Sequence, residues 1–184
     1  MNRRLLVFPI FLLIILMPVT SAQPTPQSPP ASFAEPRCGK IIAAAEDYLG
    51  VKYAYSGPSP LDPQTARHVG LTCAGFVKSA LRRAGFEKLP VLKDSKARTI
   101  CDDTSVVTRL GNTKDKIKLQ PGYIFASNAL TSDYGHTGIF VEYKDGEPVY
   151  IHSFPNGGVQ YVRHSNLFKG GRHIIQYCRL KVCS

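Results

Sequence analysis

Helical periodicity in the first half of the domain and alternating apolar runs in the second predict an α+β fold. In it, N-terminal helices pack on one face of an antiparallel sheet of about five or six strands. A first stretch, Lys40 to Leu49, carries Ile41, Ile42, Ala44, Ala45, Tyr48 and Leu49 at helical spacing and is stopped by Gly50. A second, Cys73 to Ala84, carries Phe76, Val77, Ala80, Leu81 and Ala84, with Thr72 as its cap and Gly85 as its stop. After Gln120-Pro121-Gly122 the pattern changes to strands.

Between the two helices, Val51 to Gly70 holds several prolines and reads as a loop. From Glu87 to Leu119 the pattern is weak, and a short helix over Thr104–Leu110 is the expectation there. The strands are then Tyr123–Ala126, His136–Tyr143, Pro148–His152, Gly158–Val162 and Arg172–Leu180. The second and third flank Lys144-Asp145-Gly146, so they should form a hairpin.

Ahead of this domain, Arg3 and Arg4 precede an apolar run from Leu5 to Val19 that ends at Thr20-Ser21-Ala22. This is the pattern of a secretory signal over residues 1–22, with cleavage after Ala22. The run is short of the ~20 residues a bilayer needs, so no stable membrane anchor is expected once the signal is removed. Residues 23–36 are rich in proline and nearly uncharged, as in an extended linker. Residues 37–184 have the size of one ordinary domain.

The whole chain of 184 residues has a formal net charge of +10. The signal takes away two basic residues and no acidic one, leaving +8. An anionic partner suits that charge. Nucleic acid is not expected, because no basic helix or nucleic-acid motif is present. The carboxylates of a bacterial wall fit an exported basic protein better.

Five cysteines are present: Cys38, Cys73, Cys101, Cys178 and Cys183. In an oxidising compartment four can pair and one is left over. Cys73 is the expected odd one. Cys178 and Cys183 lie an odd number of residues apart on an extended strand, so they are not expected to pair with each other. Connectivity among Cys38, Cys101, Cys178 and Cys183 stays open. No CxxC or HExxH is present, and no metal or cofactor is expected.

Cys73 opens a helix, where unpaired N–H groups and the helix dipole favour a thiolate and should lower the thiol pKa. A cysteine nucleophile needs a base, and the base a third group to orient it. His136 begins one hairpin strand and His152 ends the other. Parity then makes a demand: a two-residue loop puts them on opposite faces, and a three-residue loop over Lys144-Asp145-Gly146 puts Gly138 opposite His152 and both histidines on one face. The three-residue loop is the expectation. His68, His164 and His173 read as surface residues.

The Cys73 segment, the strand Gly135-His136-Thr137-Gly138-Ile139-Phe140-Val141 and the strand end Ile151-His152-Ser153, in that order, resemble the NlpC/p-sixty family of papain-like cell-wall peptidases. Gly50-Val51-Lys52-Tyr53 and Leu119-Gln120-Pro121-Gly122-Tyr123 are similar to two further segments of that family. The resemblance spans about Ala43 to Leu180. It implies Cys73 as nucleophile, His136 as base and His152 as the residue that orients it, with Tyr53 beside the thiol, assisting an oxyanion hole. It further implies a secreted or periplasmic, monomeric cysteine endopeptidase acting on peptidoglycan stem peptides, at the bond between D-glutamate and the diamino acid. The chain departs from the family at Thr72 and Ala74, which flank the cysteine and bear on substrate reading, and at Tyr55-Ser56-Gly57. A related papain-like amidase, a catalytically inactive wall-binding module and a disulfide-stapled interaction protein with Cys73 bridged are the alternative readings.

Overall fold

The computed structural model describes residues 36–89, 96–112, 117–127, 135–169 and 175–183. The signal, all of the linker but Pro36, His173 and the start of the last expected strand lie outside them. All described residues belong to one compact unit.

Helix α1 runs Pro36–Glu46, α2 Pro63–Val69 and α3 Cys73–Arg83. The stretch read as loop from Val51 to Gly70 therefore contains a helix. Its cause is local: Asp62 accepts hydrogen bonds from the Gln64 and Thr65 amides at 3.2 and 2.8 Å, and Pro63 fills the first helical position, where its missing N–H is not needed. A short 3-10 turn, Ala97–Thr99, precedes the sheet.

The strands are β1 Val107–Asn112, β2 Ile124–Ser127, β3 His136–Lys144, β4 Glu147–Phe154, β5 Gly158–Arg163 and β6 Ile175–Leu180. They form one six-stranded antiparallel sheet in the order β1-β6-β2-β3-β4-β5. The segment expected to be a short helix is mostly the edge strand β1. Its β-branched Val107 and Thr108 pair with Leu180 and Arg179, and tertiary pairing overrides a weak helical pattern.

Alternation along the strands builds two apolar layers. Ile139 and Ile151 face a layer formed with α1 and α3, through Ile41, Ala45, Phe76, Val77, Ala80 and Leu81. Phe140 and Tyr150 face the other way, into a layer with Phe125, Tyr177, Leu167 and Phe168. That second face is covered in part by a short helix α4, His164–Leu167, which the sequence pattern did not reveal. His164 is half-buried and its Nδ1 lies 3.1 Å from the Tyr150 hydroxyl, so it is not a surface residue; His68 is exposed, as expected.

The β3–β4 hairpin corrects one expectation and keeps its consequence. Lys144 pairs with Glu147, so the loop has two residues, Asp145 and Gly146, both at positive φ (54° and 78°). Alone, that loop would separate the two histidines. The register shifts between Phe140 and Glu142, leaving Val141 as a bulge, and Gly138 still pairs with His152.

Cys101 and Cys178 are joined by a disulfide, with Cα atoms 5.5 Å apart, tying the segment after the 3-10 turn to β6. Cys183 is disulfide-bonded as well, so it does not pair with Cys178. The side chain of Cys38 lies outside the described ones. Replacing Cys101 and Cys178 together by alanine reopens a loop of 77 residues and is expected to lower the unfolding free energy by about 3–4 kcal/mol. The reading is the urea midpoint, and an unchanged midpoint would show that this bridge adds nothing.

Candidate active site

Helix α3 begins at Cys73 because Thr72 caps it: the Thr72 hydroxyl accepts from the Gly75 amide at 2.8 Å. The thiol of Cys73 is free and buried, with 8 % of the residue exposed. A reading in which Cys73 is bridged is thereby set aside. Backbone N–H groups of Ala74, Thr137 and Cys73 itself face its sulfur. Thr137 immediately follows His136, so the helix start meets the strand at the peptide that carries the histidine.

His136 and His152 share a face, and His136 Nε2 lies 2.7 Å from His152 Nδ1. Gly138, between them on that face, makes the approach possible: a Cβ there would stand 2.6 Å from the Phe125 ring and 3.0 Å from the His152 Cβ. Aromatic rings enclose the pair. Phe154 stacks on His152 (5.6 Å, 17°) and meets His136 edge-on at 5.4 Å, and Phe125 lies 5.7 Å from His136.

Proton positions follow from that bond. For His136 to accept a proton at Nδ1, its Nε2 must carry a hydrogen and donate it to His152 Nδ1. His152 then bears its own proton on Nε2, which is buried and has no hydrogen-bond partner among the described residues.

Electrostatically the site favours neutral groups. Burial pushes the Cys73 thiol above its ordinary value, outweighing the N–H groups of Ala74, Thr137 and Cys73 that pull it down. The expectation of a lowered thiol pKa is therefore corrected: the helix start contributes in the expected direction, and desolvation exceeds it. Burial, then the neighbouring His152, pushes His136 down to about 3; burial pushes His152 down to about 4. At rest the thiol and both imidazoles are neutral.

Tyr53 is held in place by backbone. The Leu71 amide donates to the Lys52 carbonyl at 3.0 Å and the Ala54 amide to the Leu71 carbonyl at 3.2 Å, a short parallel bridge two residues from Cys73. Burial raises the Tyr53 hydroxyl pKa, followed by the charge a Cys73 thiolate would carry and by Tyr55. Ser153 completes the assembly: its buried hydroxyl donates to the same Leu71 carbonyl at 2.7 Å.

The structure pairs His136 with His152, sets the Thr137 amide that follows His136 against the Cys73 thiol, holds Tyr53 by a backbone bridge to Leu71, and uses Thr72 as the helix cap. Gly138 pairs with His152 as the sequence led one to expect, whereas the Thr137 amide, Ser153, Phe125 and Phe154 were not singled out there. Of these, Ser153 was within reach, since it follows His152 and strand parity turns it to the helix side. Among the described residues there is no group of three or more His, Cys, Asp or Glu able to hold a metal, and no helix long and apolar enough to cross a membrane. No protein-family model matches the chain, and no curated protein matches it either.

Two outcomes are expected. Ser153→Ala, which removes one of two donors to a buried carbonyl, lowers stability by about 1 kcal/mol; an unchanged melting curve would refute the role of that bond. Iodoacetamide alkylation of Cys73 should rise with pH into the alkaline range, because a raised thiol pKa keeps the thiolate scarce at neutral pH. A plateau of high rate between about pH 5 and 7 would reveal a standing thiolate–imidazolium pair instead.

Proposed function

We propose that the protein is a papain-like cysteine endopeptidase of the NlpC/p-sixty type, exported and acting as a monomer on the stem peptides of peptidoglycan. The observation that carries this reading is the buried His136–His152 hydrogen bond between β3 and β4, together with the Thr137 amide, one residue after His136, that faces the free Cys73 thiol at the start of α3. A buried histidine pair on one sheet face is a costly arrangement for packing alone.

The chemistry follows from the neutral resting pair. As Cys73 attacks the scissile carbonyl, His136 Nδ1 takes its proton, and His136 Nε2–H remains bonded to His152 Nδ1, which holds the ring in the working tautomer. The attraction between the thiolate and the imidazolium, little screened in a buried site, favours charge separation once it begins. The Cys73 amide and the Tyr53 hydroxyl suit the developing oxyanion. His136 then protonates the leaving amine, and water releases the acyl-enzyme. The resemblance points to the bond between D-glutamate and the diamino acid, and the net positive charge suits the carboxylates of the wall.

Digestion of purified sacculi, with the released fragments weighed by mass spectrometry, tests the reading. Wild type should release stem-peptide fragments, and Cys73→Ala and His136→Ala should release none. His152→Ala should lose about a hundredfold in rate, and His152→Asn should keep more because its amide oxygen can accept from His136. Fragments from Cys73→Ala equal to those from wild type, or none from wild type, would reject it.

A further inference from the structure

Tyr55 is the most exposed large apolar side chain among the described residues, at 86 %. A solitary exposed aromatic needs no explanation; the setting of this one does. Its ring meets Tyr53 edge-to-face, with centroids 5.2 Å apart and planes at 83°, and Tyr53 in turn is bridged by backbone to Leu71, two residues before Cys73. The ring is therefore one residue contact from the segment bridged to the start of the Cys73 helix.

Nor does Tyr55 ride on a slack loop. On one side, the Ala54 amide is bonded to the Leu71 carbonyl. On the other, the buried Tyr48 hydroxyl donates to the Leu61 carbonyl at 2.5 Å, with the Pro60 carbonyl at 3.2 Å, and Arg82 donates to the Ser59 carbonyl at 3.2 Å. Ser56, Gly57 and Pro58 between these anchors are small or flat and exposed, so no tall side chain follows the ring. A tyrosine between two such anchors presents an apolar plane with a polar tip, and its two χ angles keep the entropic cost of ordering it low.

We infer that Tyr55 is a saccharide-binding residue at the rim of the Cys73 site, stacking on a pyranose ring of the glycan strand from which the stem peptide hangs. The inference rests on the peptidoglycan reading and adds the sugar to the recognised substrate. The choice of sugar follows from the chemistry of that polymer: the stem peptide consists of alanine, glutamate and a diamino acid, none of which offers a flat apolar surface. A pyranose does, through the C–H bonds of one ring face, and its hydroxyls can reach the phenol.

Binding tests this without requiring catalysis. Full-length Cys73→Ala protein is titrated calorimetrically with two probes: peptide-free glycan oligosaccharide, and free alanyl-γ-glutamyl-diaminopimelyl-alanine peptide. Adding Tyr55→Ala should weaken the oligosaccharide about fivefold to tenfold, leave the peptide unchanged and leave the melting curve unchanged, and Tyr55→Trp should retain oligosaccharide binding. No oligosaccharide binding by Cys73→Ala, or equal weakening of both probes by Tyr55→Ala, would overturn the assignment. Failure of sacculus cleavage with oligosaccharide binding intact would instead reject the peptidase reading and leave the sugar site standing.

Discussion

One buried carbonyl organises this molecule. The oxygen of Leu71 accepts from the Ser153 hydroxyl and from the Ala54 amide, and each bond reaches a different piece of the site. Ser153 follows His152, Ala54 follows Tyr53, and Leu71 itself stands one residue before the Thr72 cap and two before Cys73. A single peptide group thus sets where the helix start, the histidine strand and the tyrosine segment lie relative to one another. Leu71 and Ser153 are fully buried, so water cannot replace these bonds, and each donor lost leaves the carbonyl poorer by a whole partner.

The same burial that fixes the geometry opposes the charges the chemistry needs. A thiol at a helix start should ionise readily, and an imidazole near pH 6.5 should be half protonated. Here apolar neighbours exclude water from both, and each is driven to its neutral form. The N–H groups of Cys73, Ala74 and Thr137 recover part of that loss at the sulfur, because they are fixed donors that need no reorganisation. Under the proposed mechanism, charge separation at such a site awaits the entry of a polar group such as a peptide carbonyl.

The hairpin shows how a constraint can be legible while its means is not. Strand parity required a count that places His136 and His152 on one face. That requirement is met through Val141, which is bulged out of the ladder, and not through the loop. No residue at Val141 announces the bulge. Its cause is the neighbouring strand: the Gly122 amide donates to the Phe140 carbonyl, and the Phe140 amide donates to the Tyr123 carbonyl. These contacts come from residues nearly twenty positions away. Likewise β1 forms only because β6 offers an open edge, whereas α2 was signalled locally by Asp62 and Pro63 and was legible in principle.

The chain by itself determined the order of helices before strands, the capped start at Cys73, and the candidate residues Cys73, His136, His152 and Tyr53. Periodicity, capping chemistry and parity are local properties, so they can be read from neighbours in sequence. Tertiary structure alone decided which cysteines join, that α4 and an aromatic layer cover part of the second face of the sheet, and that Leu71 serves as a shared acceptor. It also decided the balance of charge at the thiol. A helix terminus is visible in sequence, but desolvation depends on everything packed around the sulfur, and at Cys73 desolvation is the larger effect.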